Sequence, residues 1–246
     1  MSIKKTTSLL ILSILFVISG VSYIYLNKIN LNNDLEKKHN VQQAEVASIT
    51  EKKVIETSYV DQINDRINKQ QFSNRLNIPL ILQTDKKWAN TFYGSDSSDV
   101  ENNTIKINGC ALVSLAMISS YLDNKNRTPL DILFWSGDAY FIENQGTSWN
   151  IFSDFSVANG YQMINLGTDF EAVKEQLLLG NPVIISVKPG KFTKVGHIMI
   201  LSGYDSSQNT FWLNDPNDSE EKQHSTTPFS QGDLESEVVN FWSFSK

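Results

Sequence analysis

Apolar and polar positions divide the chain into three textures. The first is an uncharged run behind Lys4 and Lys5, most apolar from Leu9 to Leu26. Its eighteen residues lie at the lower edge of a bilayer-spanning helix. A positive start, an apolar stretch and the small residues Ser19, Gly20 and Ser22 also have the form of a secretory signal. Tyr23 to Leu26 carry the run past any cut after Ser22, which favours an uncleaved anchor with Lys4 and Lys5 on the cytoplasmic side. No Cys follows the run, so a lipid-anchored lipoprotein is excluded. Membrane anchor or signal segment, residues 1–26 place the remainder outside the cytoplasmic membrane, on a bacterial cell surface or secreted.

Residues 27–76 are polar, rich in Asn, Lys, Gln and Glu, without Pro or Gly. Val46, Ile49, Val60, Ile63 and Ile67 recur at near-helical intervals, which predicts an amphipathic helix between Glu45 and Gln70 in an otherwise solvated spacer. At Asn77 short apolar runs broken by turn signals begin. Ile78 to Leu82 reads as a short extended segment held to an edge or start by Pro79. Cys110 to Leu122 is apolar almost all round, the mark of a buried helix. Helical patterns follow at Asp131–Trp135, Trp149–Asn159 and Phe170–Leu179, the last ending at Gly180. Pro182–Val187, His197–Tyr204 and Thr210–Asn214 are strand-like, rich in Val, Ile and aromatics. Helices early and strands late predict an α+β domain over residues 77–246.

Composition narrows the chemistry. A chain of 246 residues with 13 Phe, 8 Tyr and 5 Trp has the material for a real core. Residues 1–76 hold ten Lys/Arg against seven Asp/Glu, a net of +3, and residues 77–246 hold eleven against twenty, a net of −9. The acidic domain gives no reason to expect nucleic acid, whose phosphates call for clustered Lys and Arg. Its acids, with no Lys or Arg between Arg127 and Lys174, read as a solvated surface. A single Cys excludes an internal disulfide and a Cys-based zinc cluster. No glycine loop of the phosphate-cradling kind and no ligand-spaced cluster is present, so neither cofactor nor metal is expected.

The lone Cys110 stands in Asn108-Gly109-Cys110-Ala111, just before the buried helix. Free N–H groups and the dipole at a helix N-terminus favour an anion, so a thiol there gains thiolate character. Gly109 would let the backbone turn into the helix and leave room for a substrate. A buried filler thiol capping a core helix is the competing reading. A nucleophilic Cys needs a base, and three His are present. His39 lies in the spacer and His224 in the polar stretch Ser219–Thr227, both read as solvent-exposed, whereas His197 opens an apolar strand. A base needs an orienter for its tautomer and its charged form. Asp215, closing the next strand, is the first choice, and Asn214 the fallback. Gln83 ends the apolar segment upstream; its amide could pair with the Cys110 backbone N–H as an oxyanion donor, although taken singly it is only a polar strand end.

The order Gln83, Cys110, His197, Asp215 resembles papain-like cysteine peptidases related to the bacteriocin-leader (double-glycine) processing peptidases, in a stand-alone secreted or surface form. The resembling text is IPLILQTDKKW, GCALVSLAM, GTSW, GNPVIISV, GHIMILSGYD and LNDPN, over residues 77–218. The resemblance implies a papain-like fold, with a buried helix carrying the Cys and a C-terminal antiparallel sheet carrying His and Asp. It implies Cys110 as nucleophile, His197 as base, Asp215 as orienter and Gln83 as oxyanion donor. It also implies Gly196 as making room beside the His, and Gly146 to Trp149 as lining the cleft. Ala111-Leu112 stands where many relatives have a small residue or Gly after the Cys, which would narrow the substrate approach. The transporter and ATPase domains of true leader-processing peptidases are absent from this chain, so a bacteriocin leader is a poor guess for the substrate.

Three functions follow as expectations. The first is an extracytoplasmic thiol peptidase acting on a peptide or protein. The second is a peptidoglycan amidase or endopeptidase of Cys–His type, acting on cell-wall peptide. The third is a catalytically silent, membrane-tethered binding domain. Oligomeric state leaves no mark on the sequence.

Overall fold

A computed structural model describes residues 26–41, 57–95 and 99–246. The chain forms two units, Met1–Glu56 and Thr57–Lys246. The described part of the first is one helix, α1 (residues 26–41), solvent-exposed along its length. Among the described residues no helix is long and apolar enough to cross a membrane. The anchor or signal segment expected at 1–26 lies, Leu26 apart, outside them.

The second unit begins earlier than the change of texture at Asn77. Helix α2 (Tyr59–Asn68), capped by Ser58 whose hydroxyl accepts from Asp61 N, turns Ile63 and Ile67 into the core. Asn64 ties it down by accepting from Leu80 N at 2.7 Å and donating to Leu80 O at 2.9 Å. Residues 57–76, assigned above to the spacer, therefore belong to the domain. The periodicity at Val60, Ile63 and Ile67 marks a packed face, and the part of that expected helix at 45–56 lies outside the described residues.

Helices α3 (Ile105–Asn108), α4 (Cys110–Asp123), α5 (Pro129–Ser136) and α6 (Asn150–Asn159) follow, with the two-residue strands β1 (Phe141–Ile142) and β2 (Gly146–Thr147) pairing before α6. The apolar surround of α4 is explained by its burial, complete from Ala111 to Ser120. Thr128 and Asp131 form a reciprocal capping box on α5, with Pro129 at its first turn. Asn124, in the left-handed region at φ 48°, ends α4.

The remaining elements are β3 (Gln162–Gly167), α7 (Phe170–Leu178), β4 (Val183–Val187), β5 (His197–Asp205), β6 (Thr210–Asn214), β7 (Phe229–Ser230), α8 (Gln231–Glu235) and β8 (Val238–Ser245). Six of them make one antiparallel sheet in the order β3-β8-β4-β5-β6-β7. Both faces of this sheet are covered. Ile184, Ile198, Ile200, Trp242 and Phe244 pack with α4 in one core, while Val183, Ile185, Val187, Met199, Leu201 and Phe241 pack with Phe170, Val173 and Leu177 of α7 in the other. A strand with two buried faces needs no polar alternation, hence the unbroken apolar text of β4. The expected α+β architecture is present. Strands β3 and β8 lie outside the sequence reading: β3 is a polar strand with no fully buried residue, and β8 shows no clean alternation because Phe241 to Phe244 are buried on both faces of the sheet.

Candidate active site

Three elements aim side chains at one place. Helix α4 starts at Cys110, which is half-buried and thus open to solvent on one side. Gly109 joins α3 to α4 at φ −90°, ψ 8°, ordinary backbone that needs no glycine. The glycine is required by space: a Cβ there would lie 2.5 Å from the Ile105 carbonyl oxygen and 2.7 Å from Ile105 Cγ2. Its missing side chain clears α3, where the sequence suggested a sharp turn and room for substrate. Ala111 and Leu112 are buried in the core, so they do not narrow any approach to the sulfur.

His197 opens β5 and is buried. Its Nε2 donates to Asp215 Oδ1 at 2.7 Å, which leaves Nδ1 as the nitrogen free to face another group. Burial alone would push this imidazole down, but hydrogen bonds and charge from Asp215 and Cys110 outweigh it and push it up to about 10. The carboxylate and the sulfur together therefore favour the charged form of the ring. Asp215 lies just past β6 with almost no exposure. Burial opposes its charge, yet donors from His197 and His224, the His197 charge and the Asn217 amide hold the carboxyl far below the usual range.

Gln83 bridges the helical and sheet halves. Its backbone N donates to Pro216 O at 2.7 Å, beside Asp215, and its Nε2 donates to Lys106 O at 2.6 Å, one turn before Cys110. One amide hydrogen is thereby committed to Lys106. Oε1 is buried without a partner among the described residues.

A model of the Peptidase_C39 like family matches residues 75–242, a stretch that holds all four of these side chains. The chain belongs to that family. This Peptidase_C39-like protein is accordingly a cysteine peptidase, a hydrolase. Similar solved structures include a C39-like peptidase from Bacillus anthracis, 16% identical over 71% of this chain and 98% of that one, with a TM-score of 0.46. The peptidase domain of Streptococcus ComA, a bifunctional ABC transporter of a quorum-sensing pathway, is 15% identical over 63% and 98%, TM-score 0.44. A double-glycine motif protease from an AMS/PCAT transporter, solved with its leader peptide, is 15% identical over 70% and 94%, TM-score 0.44. No curated protein matches the chain.

Other expectations for this C39-like site are modified by the structure. Asn214 is not an orienter. Fully buried, it donates to the carbonyls of Ile78 and Pro79 and accepts from Arg75, stitching the segment before Gln83 onto β6. A Cβ at Gly196 would meet no atom within 4 Å, so packing inside the chain does not demand a glycine there. The start of Gly146-Thr147-Ser148-Trp149 does abut the end of α3, two residues before Cys110, because Thr147 Oγ1 donates to Asn108 O at 3.4 Å and pairs with Tyr93 OH at 2.9 Å. Trp149 is half-exposed, with its ring edge-on to Trp242 at 4.9 Å. His39 lies on the exposed α1.

His224 contradicts the sequence reading outright. It is only 12% exposed, and its Nδ1 donates to Asp215 Oδ2 at 2.8 Å. The polar text around it suggested solvent, and no local signal distinguishes it. With it, Asp215, Asp218 and His224 bring ligand-type atoms within 4.8 Å of one another, a convergence that their spacing along the chain conceals. These atoms are engaged already: Asp218 accepts from the backbone N of Ser219, His224 and Ser225 and from Tyr59 OH.

Proposed function

We propose that this peptidase hydrolyses peptide bonds through an acyl-enzyme on Cys110, with His197 as base and acid, Asp215 as orienter, and Gln83 with the Cys110 backbone N–H as oxyanion donors. The observation that carries the reading is a buried His197, fastened to a buried Asp215 at 2.7 Å and electrostatically coupled to the half-buried lone cysteine. The thiolate attacks the scissile carbonyl carbon, forming a C–S bond and an oxyanion. Collapse of the oxyanion breaks the C–N bond as His197 passes its proton to the departing amine. Water then attacks the thioester while His197 takes its proton. The C–S bond breaks, the acid product leaves and gives its remaining proton to solvent, and the thiolate–imidazolium pair is restored. Throughout, Asp215 stabilises the ring's positive charge and fixes Nε2 as the nitrogen that does not face sulfur.

The apolar run at 9–26 behind Lys4 and Lys5 supports action outside the cytoplasmic membrane, with peptide or protein as substrate. Cys110→Ala and Cys110→Ser are expected to abolish cleavage of a diverse peptide mixture followed by mass spectrometry, with an unchanged circular dichroism spectrum. Undiminished cleavage by either variant rejects the proposal. Protease accessibility of the domain on intact cells tests the location, and full protection there refutes it.

A further inference from the structure

The Asp215 carboxylate is gripped from two sides by two imidazoles. Oδ1 accepts from His197 Nε2 at 2.7 Å and from Asn217 N at 2.7 Å. Oδ2 accepts from His224 Nδ1 at 2.8 Å, its one hydrogen-bond donor among the described residues. A carboxylate held by one oxygen can still swing about its Cβ–Cγ bond, because that terminal torsion is broad. A donor on the second oxygen fixes the plane. We propose that His224 is a positioning residue: by donating Nδ1–H to Oδ2 it locks the carboxylate plane, so that Oδ1 stays on His197 and the Cys110–His197 pair stays aligned. This inference rests on the role proposed above for that pair.

The surroundings of His224 are built to hold it there. Its backbone N donates to Asp218 Oδ1 at 2.9 Å, and Ser225 N donates to Asp218 Oδ2 at 2.7 Å. Ser225 Oγ accepts from Asp215 N at 3.1 Å, and Arg75 Nη1 donates to Ser225 O at 2.6 Å. Tyr59 OH, from α2, donates to Asp218 Oδ2 at 2.9 Å. The imidazole meets two rings edge-on, Phe192 at 5.4 Å and Phe229 at 6.0 Å. The charged and titratable groups around it are thus Asp215, Asp218, Tyr59, Arg75 and His197.

Two substitutions separate positioning from packing. His224→Phe keeps an aromatic ring against Phe192 and Phe229 but loses the donor. His224→Asn loses the ring and offers an amide nitrogen close to where Nδ1 stands. Because Cys110 is the chain's one thiol, its alkylation by iodoacetamide reads the pair without any substrate. At about pH 6 an unassisted thiol is almost wholly protonated and reacts slowly.

His224→Phe in the full chain is expected to slow alkylation about tenfold, and His224→Asn to restore it to within about threefold of wild type. A packing role predicts the reverse order, and that order overturns the inference, as does a wild-type rate in a folded Phe variant. His197→Ala serves as the control. Wild-type alkylation by His197→Ala sinks the catalytic reading and this inference together, whereas a slow His197→Ala beside an unaffected His224→Phe sinks the inference alone. Nitrogen-15 NMR of the wild-type rings gives a test that needs no variant. A protonated, hydrogen-bonded Nδ1 on His224 is expected, and an unprotonated Nδ1 overturns the inference even if the Phe variant fails to fold.

Discussion

Asp215 carries a full charge where almost no water reaches it, and it is tolerated there because every donor around it favours the ionised form. His197 is its counterpart, a buried imidazole kept protonated by a carboxylate and a thiol. Both shifts are stability statements with opposite signs of pH dependence. The folded-state value of Asp215 is depressed, so its contribution is present above its ordinary value of 3.8 and is lost as pH falls below that. The folded-state value of His197 is raised from 6.5 to about 10, so its contribution is complete below 6.5 and fades as pH climbs toward about 10. Stability is therefore expected to peak between these limits. From pH 6.5 to about 10 it should decline by an amount of the order of a few kcal/mol, read from urea unfolding at each pH. His197→Gln, which has no titratable ring, should flatten that alkaline decline. An equally steep decline in the variant would assign it to other groups.

At the scale of elements, the site depends on two junctions. One is α3 to α4, where Gly109 admits the Ile105 carbonyl so closely that a methyl group cannot fit beside it. Gly109→Ala must push α3 aside and with it the start of the helix that presents Cys110. An expected cost of about 1–3 kcal/mol in urea unfolding, with slower Cys110 alkylation, follows from overpacking. A conformational role for the glycine would instead predict little change, since φ −90° suits alanine. The other junction is α2. Ile63 and Ile67 are buried, and Tyr59 reaches Asp218 in the loop that carries His224. A chain starting at Thr57 should melt close to the full-length domain, whereas one starting at Asn77 should melt many degrees lower, since the loss of each buried Ile side chain alone costs about 2–5 kcal/mol. Equal melting temperatures would return α2 to the spacer.

Across the whole molecule, the proposed site lies at the seam between a helical half that carries Cys110 and a sheet half that carries His197 and Asp215, with Gln83 hydrogen-bonded to both. Much of this seam is legible in sequence because its residues sit at element boundaries. The thiol stands where an apolar helical pattern begins, and the ring and carboxylate stand at the ends of strand-like runs. His224 is not legible, since its partner is chosen by the path of a polar loop whose burial depends on Phe192 and Tyr59 arriving from elsewhere. The reach of the domain back to Thr57 is hidden for a similar reason: α2 offers only two buried residues in a polar stretch. Strand β8 shows how far chain order and spatial order diverge. It comes last, yet it lies between β3 and β4, and β3 joins the sheet through β8 alone. Phe241 enters one core, and Trp242 and Phe244 the other. A chain ending at Glu237 is therefore expected to lose cooperative unfolding and Cys110–His197 coupling together, because it strips a central strand and leaves β4 with an open edge. Removing Lys246 alone costs one exposed ion pair with Asp123 and should leave the melting temperature within a degree or two. A soluble, cooperatively melting protein that ends at Glu237 would mean that β4 to β7 fold without their central neighbour, and that the two halves of the site need no shared sheet to meet.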